Sequence, residues 1–198
     1  MSENKIKYGL KNVYYAVATI ADNGTATYGT PTAIPGAVNL SLDSNGDNTT
    51  FWADNVAYWV GNGNAGYTGD LEIARIPDSF KEDVLGMIED SKSVLVEDMN
   101  APVVHFALLF QFEGDQQATK HVLYNCTCTR PQLAGSTKNE TVEPQTETLS
   151  LAATSIYNAS LQKDIVKAET KDDTDSTTYS GWTSAVYQPT AAPVVTTT

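Results

Sequence analysis

The chain has 198 residues, with 24 acidic against 12 basic side chains and a net charge of −12. That balance excludes a protein that grips nucleic acid through its phosphates, which needs clustered Lys and Arg, though not one that nucleic acid merely passes. The length suits one domain that buries roughly 70% of its unfolded surface, so a core forms without stapling.

Residues 1–7 carry no apolar h-region, and no apolar run approaches bilayer-spanning length, so a soluble chain made inside the cell is expected. Cys126 and Cys128 are the whole thiol inventory. At i, i+2 on a strand they share a face, a spacing that does not favour a disulfide, and two further zinc ligands are missing. Reduced, inert thiols are the expectation.

Residues 1–12 are polar and read as an arm or a first edge element. Residues 13–20 are rich in β-branched and aromatic side chains and read as a strand. Asp22-Asn23-Gly24 opens a loop that runs through Pro31. Residues 37–42 follow as a strand with Val38, Leu40 and Leu42 on one face. Ser44-Asn45-Gly46-Asp47 is a turn signal, and residues 48–54 are expected to return as the partner of 37–42. Residues 56–60 form a further short strand, ended by Gly61-Asn62-Gly63-Asn64.

From 71 to 76 the apolar residues Leu71, Ile73 and Ile76 come close to the alternation of a half-buried strand. Pro77 removes a backbone donor and suits a helix start, and Asp78 places a carboxylate by the free N–H groups there. Phe80, Val84, Leu85 and Ile88 follow at helical spacing. The spacing predicts one amphipathic helix over 78–89, packing these four side chains on a sheet. Gly86 inside it costs about 1 kcal/mol against alanine.

A polar connection over 90–100 leads to residues 103–113, the most apolar strand and the expected centre of the sheet. Its antiparallel partner is 119–130, with Val122, Tyr124, Cys126 and Cys128 alternating against Leu123, Asn125 and Thr127. Pro131 stops it. Residues 138–142 read as a loop, and 146–156 as a last core strand with Leu149 and Leu151. After Tyr157 the composition turns charged and Thr/Ser-rich. A first unit over 1–157 and an extension over 158–198 are expected, the extension partly disordered with a strand near 179–187. The fold class is mainly β: a β-sandwich or curled antiparallel sheet with one flanking helix.

Four constellations invite a functional reading. Gly61-Asn-Gly63-Asn-Ala-Gly66 matches a dinucleotide fingerprint, but that chemistry needs a helix after the last glycine and a strand follows here. A hairpin loop explains it better. Asp43-Ser-Asn45-Gly-Asp47 opens like a calcium loop with Asp54 at the twelfth position, but Asn48 stands where the sharp turn needs glycine. His105 and His121 could pair with Cys126 or Cys128 as nucleophile and base, yet no third group is evident. Trp52, Trp59 and Trp182 could form an aromatic patch for a sugar, which is the alternative reading of the chain as a carbohydrate-binding β-sandwich. No catalytic, cofactor or metal residues are assigned.

Four stretches, in order, resemble the major tail proteins of long-tailed phages of Gram-positive hosts. They are Gly69-Asp-Leu-Glu-Ile-Ala-Arg-Ile-Pro-Asp-Ser-Phe-Lys-Glu-Asp-Val-Leu-Gly86, Phe106-Ala-Leu-Leu-Phe-Gln-Phe-Glu113, Lys120-His-Val-Leu-Tyr-Asn-Cys-Thr-Cys-Thr-Arg-Pro131 and Val142-Glu-Pro-Gln-Thr-Glu-Thr-Leu149. The resemblance covers roughly residues 5–157. It implies a virion protein without catalytic residues, forming stacked rings, usually hexameric, around a channel for the genome. The implied partners are further copies of the chain, the tape measure protein, and the tail terminator and distal tail proteins. Double-stranded DNA would pass the acidic lumen without specific binding, and no membrane is involved. The loop Asp43, Ser44, Asn45, Gly46, Asp47 and Asn48 is the candidate ring-to-ring contact, together with the N-terminal arm.

Overall fold

The computed structural model describes residues 4–46, 48–137 and 144–191. In chain order its strands are β1 (Lys7–Ile20), β2 (Ala26–Tyr28), β3 (Thr32–Ala33), β4 (Ala37–Asn45), β5 (Asn48–Ala53), β6 (Val56–Asn62) and β7 (Gly66–Ile73). Helix α1 (Asp78–Asp83) follows, then β8 (Met87–Glu89), β9 (Leu95–Glu97), β10 (His105–Gly114), β11 (Thr119–Cys128) and β12 (Glu147–Thr154). The chain ends in β13 (Ile156–Asn158), β14 (Lys163–Ile165), β15 (Lys167–Glu169) and α2 (Ser176–Gly181). One antiparallel sheet runs β2-β1-β10-β11-β12-β7-β4, with β3 added on β1 and β15 on β11. Three two-stranded ribbons, β5–β6, β8–β9 and β13–β14, stand off it.

Strand β10 is central because its apolar run serves two cores at once. Phe106, Leu108 and Phe110 join Tyr15, Leu71, Ile73, Leu149 and Leu151 on the side that carries α1. Ala107 and Leu109 join Val122, Tyr124, Ile156, Trp182 and Val186 on the other side. The expected single-face alternation of β11 breaks at a one-residue register shift between Phe106↔Cys126 and Leu108↔Leu123. An inserted residue flips everything beyond it to the opposite face. Val122 and Tyr124 therefore face the second core, whereas Cys126 and Cys128 face the first, beside Leu123.

The helix is shorter than its spacing predicts. It stops at Asp83, with Val84 as its C-cap, and Gly86 at φ +70 turns the chain into β8. Glycine at positive φ is a common way to end a helix, because other residues meet a Cβ clash there. Phe80 and Val84 are buried and Leu85 is half-buried against the same core, but Ile88 lies on the β8–β9 ribbon and is 60% exposed. The expected cost of Gly86 reverses in sign as a result. A Cβ on it would sit 2.6 Å from Ala101 Cβ. Gly86→Ala should destabilise the protein by about 1–2 kcal/mol, read as a fall in the urea midpoint at unchanged slope.

Residues 158–191 differ from the expected loose extension. Strand β15 pairs His121–Leu123 of β11, and Trp182 and Val186 are buried on the second core. Asp175 caps α2 by accepting the Thr178 N–H, and Tyr179 lies on that helix, not on a strand. Lys120 Nζ reaches Tyr179 O at 2.7 Å and sits 4.0 Å from its ring, tying the helix to β11. The predicted loop at 138–142 and all but Ala191 of the low-complexity end expected over 191–198 lie outside the described residues.

Candidate functional site

Strands β4 and β7 form a ladder from Ala37↔Ile73 to Asn45↔Gly66, with a one-residue register shift between Ala37 and Asn39. Residues 48–53 do not return along β4 as the turn at 44–47 predicts; they pair with β6 instead. The turn that closes that ribbon is Asp54-Asn55, whose φ values of 51 and 62 match the two positive angles of a type I′ hairpin. The β4–β7 ladder is thereby prolonged by a second ribbon, β5–β6. Of the candidate contact loop, Asp43, Ser44 and Asn45 belong to β4, Gly46 follows it, Asn48 opens β5, and Asp47 lies outside the described residues.

The ribbon exposes Phe51, Trp52, Val56, Tyr58, Trp59 and Val60, with Trp52 66% and Tyr58 72% accessible. None of them belongs to either core. A two-stranded ribbon is marginal in water by itself, and contiguous exposed apolar side chains mark a partner surface. Among the described residues this ribbon is the feature with the most exposed apolar side chains.

The second feature is a bare sheet face. Across β4, β7 and β12 the register sets up rows Asn39–Glu72–Thr148, Ser41–Asp70–Ser150 and Asp43–Thr68–Ala152. The intervening row, Leu40–Leu71–Leu149, points into the first core. Ser150 Oγ donates to Asp70 Oδ1 at 2.7 Å, and Thr146 Oγ1 to Glu72 Oε1 at 2.6 Å. No Lys or Arg occurs in these three strands. The face is acidic and hydroxylated.

The histidines and thiols come together differently from a catalytic pair. His105 Nδ1 lies 2.7 Å from Asn125 Oδ1, and no hydrogen bond joins either histidine to a cysteine among the described residues. Burial pushes the Cys126 thiol up to about 12 and Cys128 up to about 11, which removes the thiolate a nucleophile requires. His121 stacks on Phe110 at 5.1 Å, its Nδ1 is 3.4 Å from Glu169, and its Nε2 is buried without a partner among the described residues. Burial lowers its pKa to about 4; Glu169 opposes the shift, and Lys167 and Lys7 add to it.

A folded pKa below the unfolded value of about 6.5 means the unfolded chain binds the extra proton. The stability this histidine supplies is present above about pH 6.5 and is lost as pH falls toward 4. His121→Leu should flatten the pH dependence of the urea midpoint in that window. An unchanged slope would contradict a buried neutral imidazole.

Of the other constellations, Gly61 lies in β6 and Gly66 opens β7, so no helix faces the fingerprint. Asp43 sits on the bare face while Asp54 sits at the ribbon's turn. The three tryptophans do not form one patch: Trp52 and Trp59 are on the ribbon, and Trp182 is buried with its Nε1 toward His121 O. Among the described residues no helix is long and apolar enough to cross a membrane.

A family model described as phage tail tube protein matches residues 2–190. The chain belongs to the phage tail tube family. It is a structural phage tail protein, a component of the virion, and the match extends through the C-terminal segment that the sequence resemblance leaves out at 158. No curated protein matches it. Among solved structures it is similar to a chain of "Cryo-EM structure of the anti-feeding prophage (AFP) baseplate, 6-fold symmetrised", at 12% identity and a TM-score of 0.46, covering 86% of this chain and 97% of that one.

For a tail tube protein the informative residues are surface ones, and sequence reading missed the ribbon because its turn is Asp54-Asn55. Both residues tolerate positive φ, and the pair lies between two apolar runs. That signal was available. It was outweighed by the stronger Asn-Gly signal at 45–46.

Proposed function

We propose that this tail tube protein self-assembles into rings, hexameric by the family resemblance, that stack into a hollow tube through which double-stranded DNA is delivered. The ribbon β5–β6 carries the reading: six large apolar side chains on a projecting hairpin need a neighbour to cover them. In the assembly the ribbon reaches the next ring, and the sheet edges at β4 and at β1–β3 meet those of adjacent subunits, which removes open edges that would otherwise aggregate. The acidic, cation-free face of β4–β7–β12 lines the lumen, where like charge denies DNA a phosphate partner. The protein works without catalysis or a cofactor, alongside tape measure, terminator and distal tail proteins, in a long-tailed phage of a Gram-positive host.

The test is a paired substitution on the ribbon, Trp52→Glu with Trp59→Glu. Both side chains are exposed, so the far-UV spectrum and melting point should not change. Polymerisation, followed by size-exclusion chromatography and negative-stain microscopy, should stop short of tubes. Normal tubes from this variant would overturn the reading. The sugar-binding alternative loses one of its three indoles, because Trp182 is buried in the core.

A further inference from the structure

Three Asn-Gly pairs occur in the chain: Asn23-Gly24, Asn45-Gly46 and Asn62-Gly63. In such a pair the glycine nitrogen can attack the preceding side-chain amide, because glycine carries no side chain to shield it. A bond forms between that nitrogen and the asparagine Cγ, ammonia leaves, and water opens the succinimide to aspartate or isoaspartate. Asparagine and water become an acid and ammonia, with nothing oxidised or reduced.

The fold treats the pairs at 23 and 45 differently. At the first, Gly24 N–H donates to Ala21 O at 2.8 Å, and Asn23 Oδ1 accepts from Thr25 N at 3.1 Å and Thr25 Oγ1 at 2.7 Å. Those donors polarise the Asn23 amide, but they fix it in a turn whose glycine nitrogen is already committed. At the second, Asn45 is the last residue of β4, and its backbone O accepts the Ala65 N–H at 2.7 Å. Gly46 lies past the ladder and is exposed, and its N–H meets no acceptor among the described residues. The nitrogen is therefore open to solvent base. Thr68 Oγ1 donates to Asn45 Oδ1 at 3.0 Å. That oxygen gains negative charge when the Gly46 nitrogen adds to Cγ, so a donor already in place lowers the barrier as in an oxyanion hole. A Cβ on residue 46 would collide with the Gly63 carbonyl, so the backbone itself demands glycine, the least shielded nucleophile, after Asn45.

We infer that Asn45-Gly46 is a self-modification site, at which the Thr68 hydroxyl promotes deamidation of Asn45. The product places a further carboxylate on the same side of β4 as Asp43. Isoaspartate also lengthens the backbone where the β5–β6 ribbon joins the ladder, putting the last rung, Asn45↔Gly66, out of step.

The test incubates the full chain at mildly alkaline pH, folded and in urea. Chymotryptic cuts at Tyr28, Leu42, Phe51 and Trp59 then separate the three pairs. Mass spectrometry reads the conversion of amide to acid at each, and an isoaspartyl methyltransferase labels the isomer. In the folded chain Asn45 should convert roughly fivefold or more faster than Asn23, the worth of the hydrogen bond that holds the Gly24 nitrogen. In urea, where both are plain Asn-Gly pairs, the two rates should converge. Thr68→Val keeps the branched shape and should slow Asn45 by roughly threefold or more with Asn23 unchanged. Thr68→Ser, which restores the hydroxyl, should keep the parent rate. The Asn23 rate in the same molecule reports any loss of folding. Equal folded rates at Asn45 and Asn23 would overturn the inference. A gap that persists in urea, or an Asn45 rate indifferent to Thr68→Val, would do so as well.

Discussion

Replacing Phe80 by alanine is expected to lower the unfolding free energy by about 3–5 kcal/mol, the range for deleting a buried aromatic from a core that cannot close over the gap. The ring is almost fully buried and stands edge-on to two others, Tyr15 at 5.0 Å and Phe106 at 5.6 Å. Edge-to-face aromatic pairs add about 0.5–1.5 kcal/mol beyond the area they bury. The helix that presents Phe80 spans six residues, too few to persist by hydrogen bonding alone. It is held from outside: Tyr15 Oη donates to Asp83 Oδ2 at 2.7 Å, and Phe80 plugs it into the sheet. Loss of the ring should release both. A domain holds only about 5–15 kcal/mol in total, so the variant should sit near its unfolding midpoint in low urea. Phe80→Leu, which leaves a smaller void, should lose well under half as much. A loss below about 1 kcal/mol for the alanine variant would mean that α1 is not anchored by this side chain.

The second large effect concerns charge on the bare face. Asp70→Lys with Glu72→Lys changes each subunit by four charges on adjacent rows, and in the proposed tube that change would recur at every level. A polyanion moving past would then find phosphate partners where it now finds carboxylates and hydroxyls. Genome ejection from assembled particles should slow on the order of tenfold or more at low ionic strength. Added salt should restore it, because exposed charges separated by more than about 10 Å are screened at 0.1 M. Asp70→Asn with Glu72→Gln keeps the shape, removes the charge, and should leave ejection close to normal. Both side chains are on the solvent side of the sheet, so the fold tolerates either pair. Unchanged ejection by the lysine variant at low salt would place this face away from the lumen.

The parts of this architecture that could be read from sequence are those in which one residue's neighbours decide its fate. The run from Phe106 to Phe110 is apolar at every position, which only a strand buried on both faces requires, and Leu149 and Leu151 alternate with Thr148 and Ser150 as a half-covered strand must. What stayed hidden depended on distant partners. Whether residues 48–53 return along β4 or make their own hairpin turns on competition between two turn signals, and the β4–β7 ladder across an inserted ribbon decided it. The flip of Cys126 away from Tyr124 needs a bulge that no local pattern announces. Trp182 and Val186 sit in a Thr/Ser-rich stretch whose average polarity suggests a solvated tail. Their burial exists only because Ala107, Leu109 and Val122 leave an apolar surface to cover. The loop residues 43–46 and 48 lie at the base of the ribbon, and the sequence pattern offered Trp52 and Trp59 beyond it only as part of an aromatic patch with Trp182, which is buried elsewhere.

The way the last thirty-odd residues finish the sheet has a consequence for synthesis. Strand β1 must wait for β10, with Tyr15 opposite Leu108, and His121–Leu123 of β11 stay unpaired on one side until β15 leaves the ribosome. Such distant pairings make for slow folding and a long-lived exposed edge. A chain cut off before Trp182 lacks the cover on its second core, so it is expected to fold less stably. Synthesis through Val186 is therefore expected to set the moment at which the subunit becomes rigid.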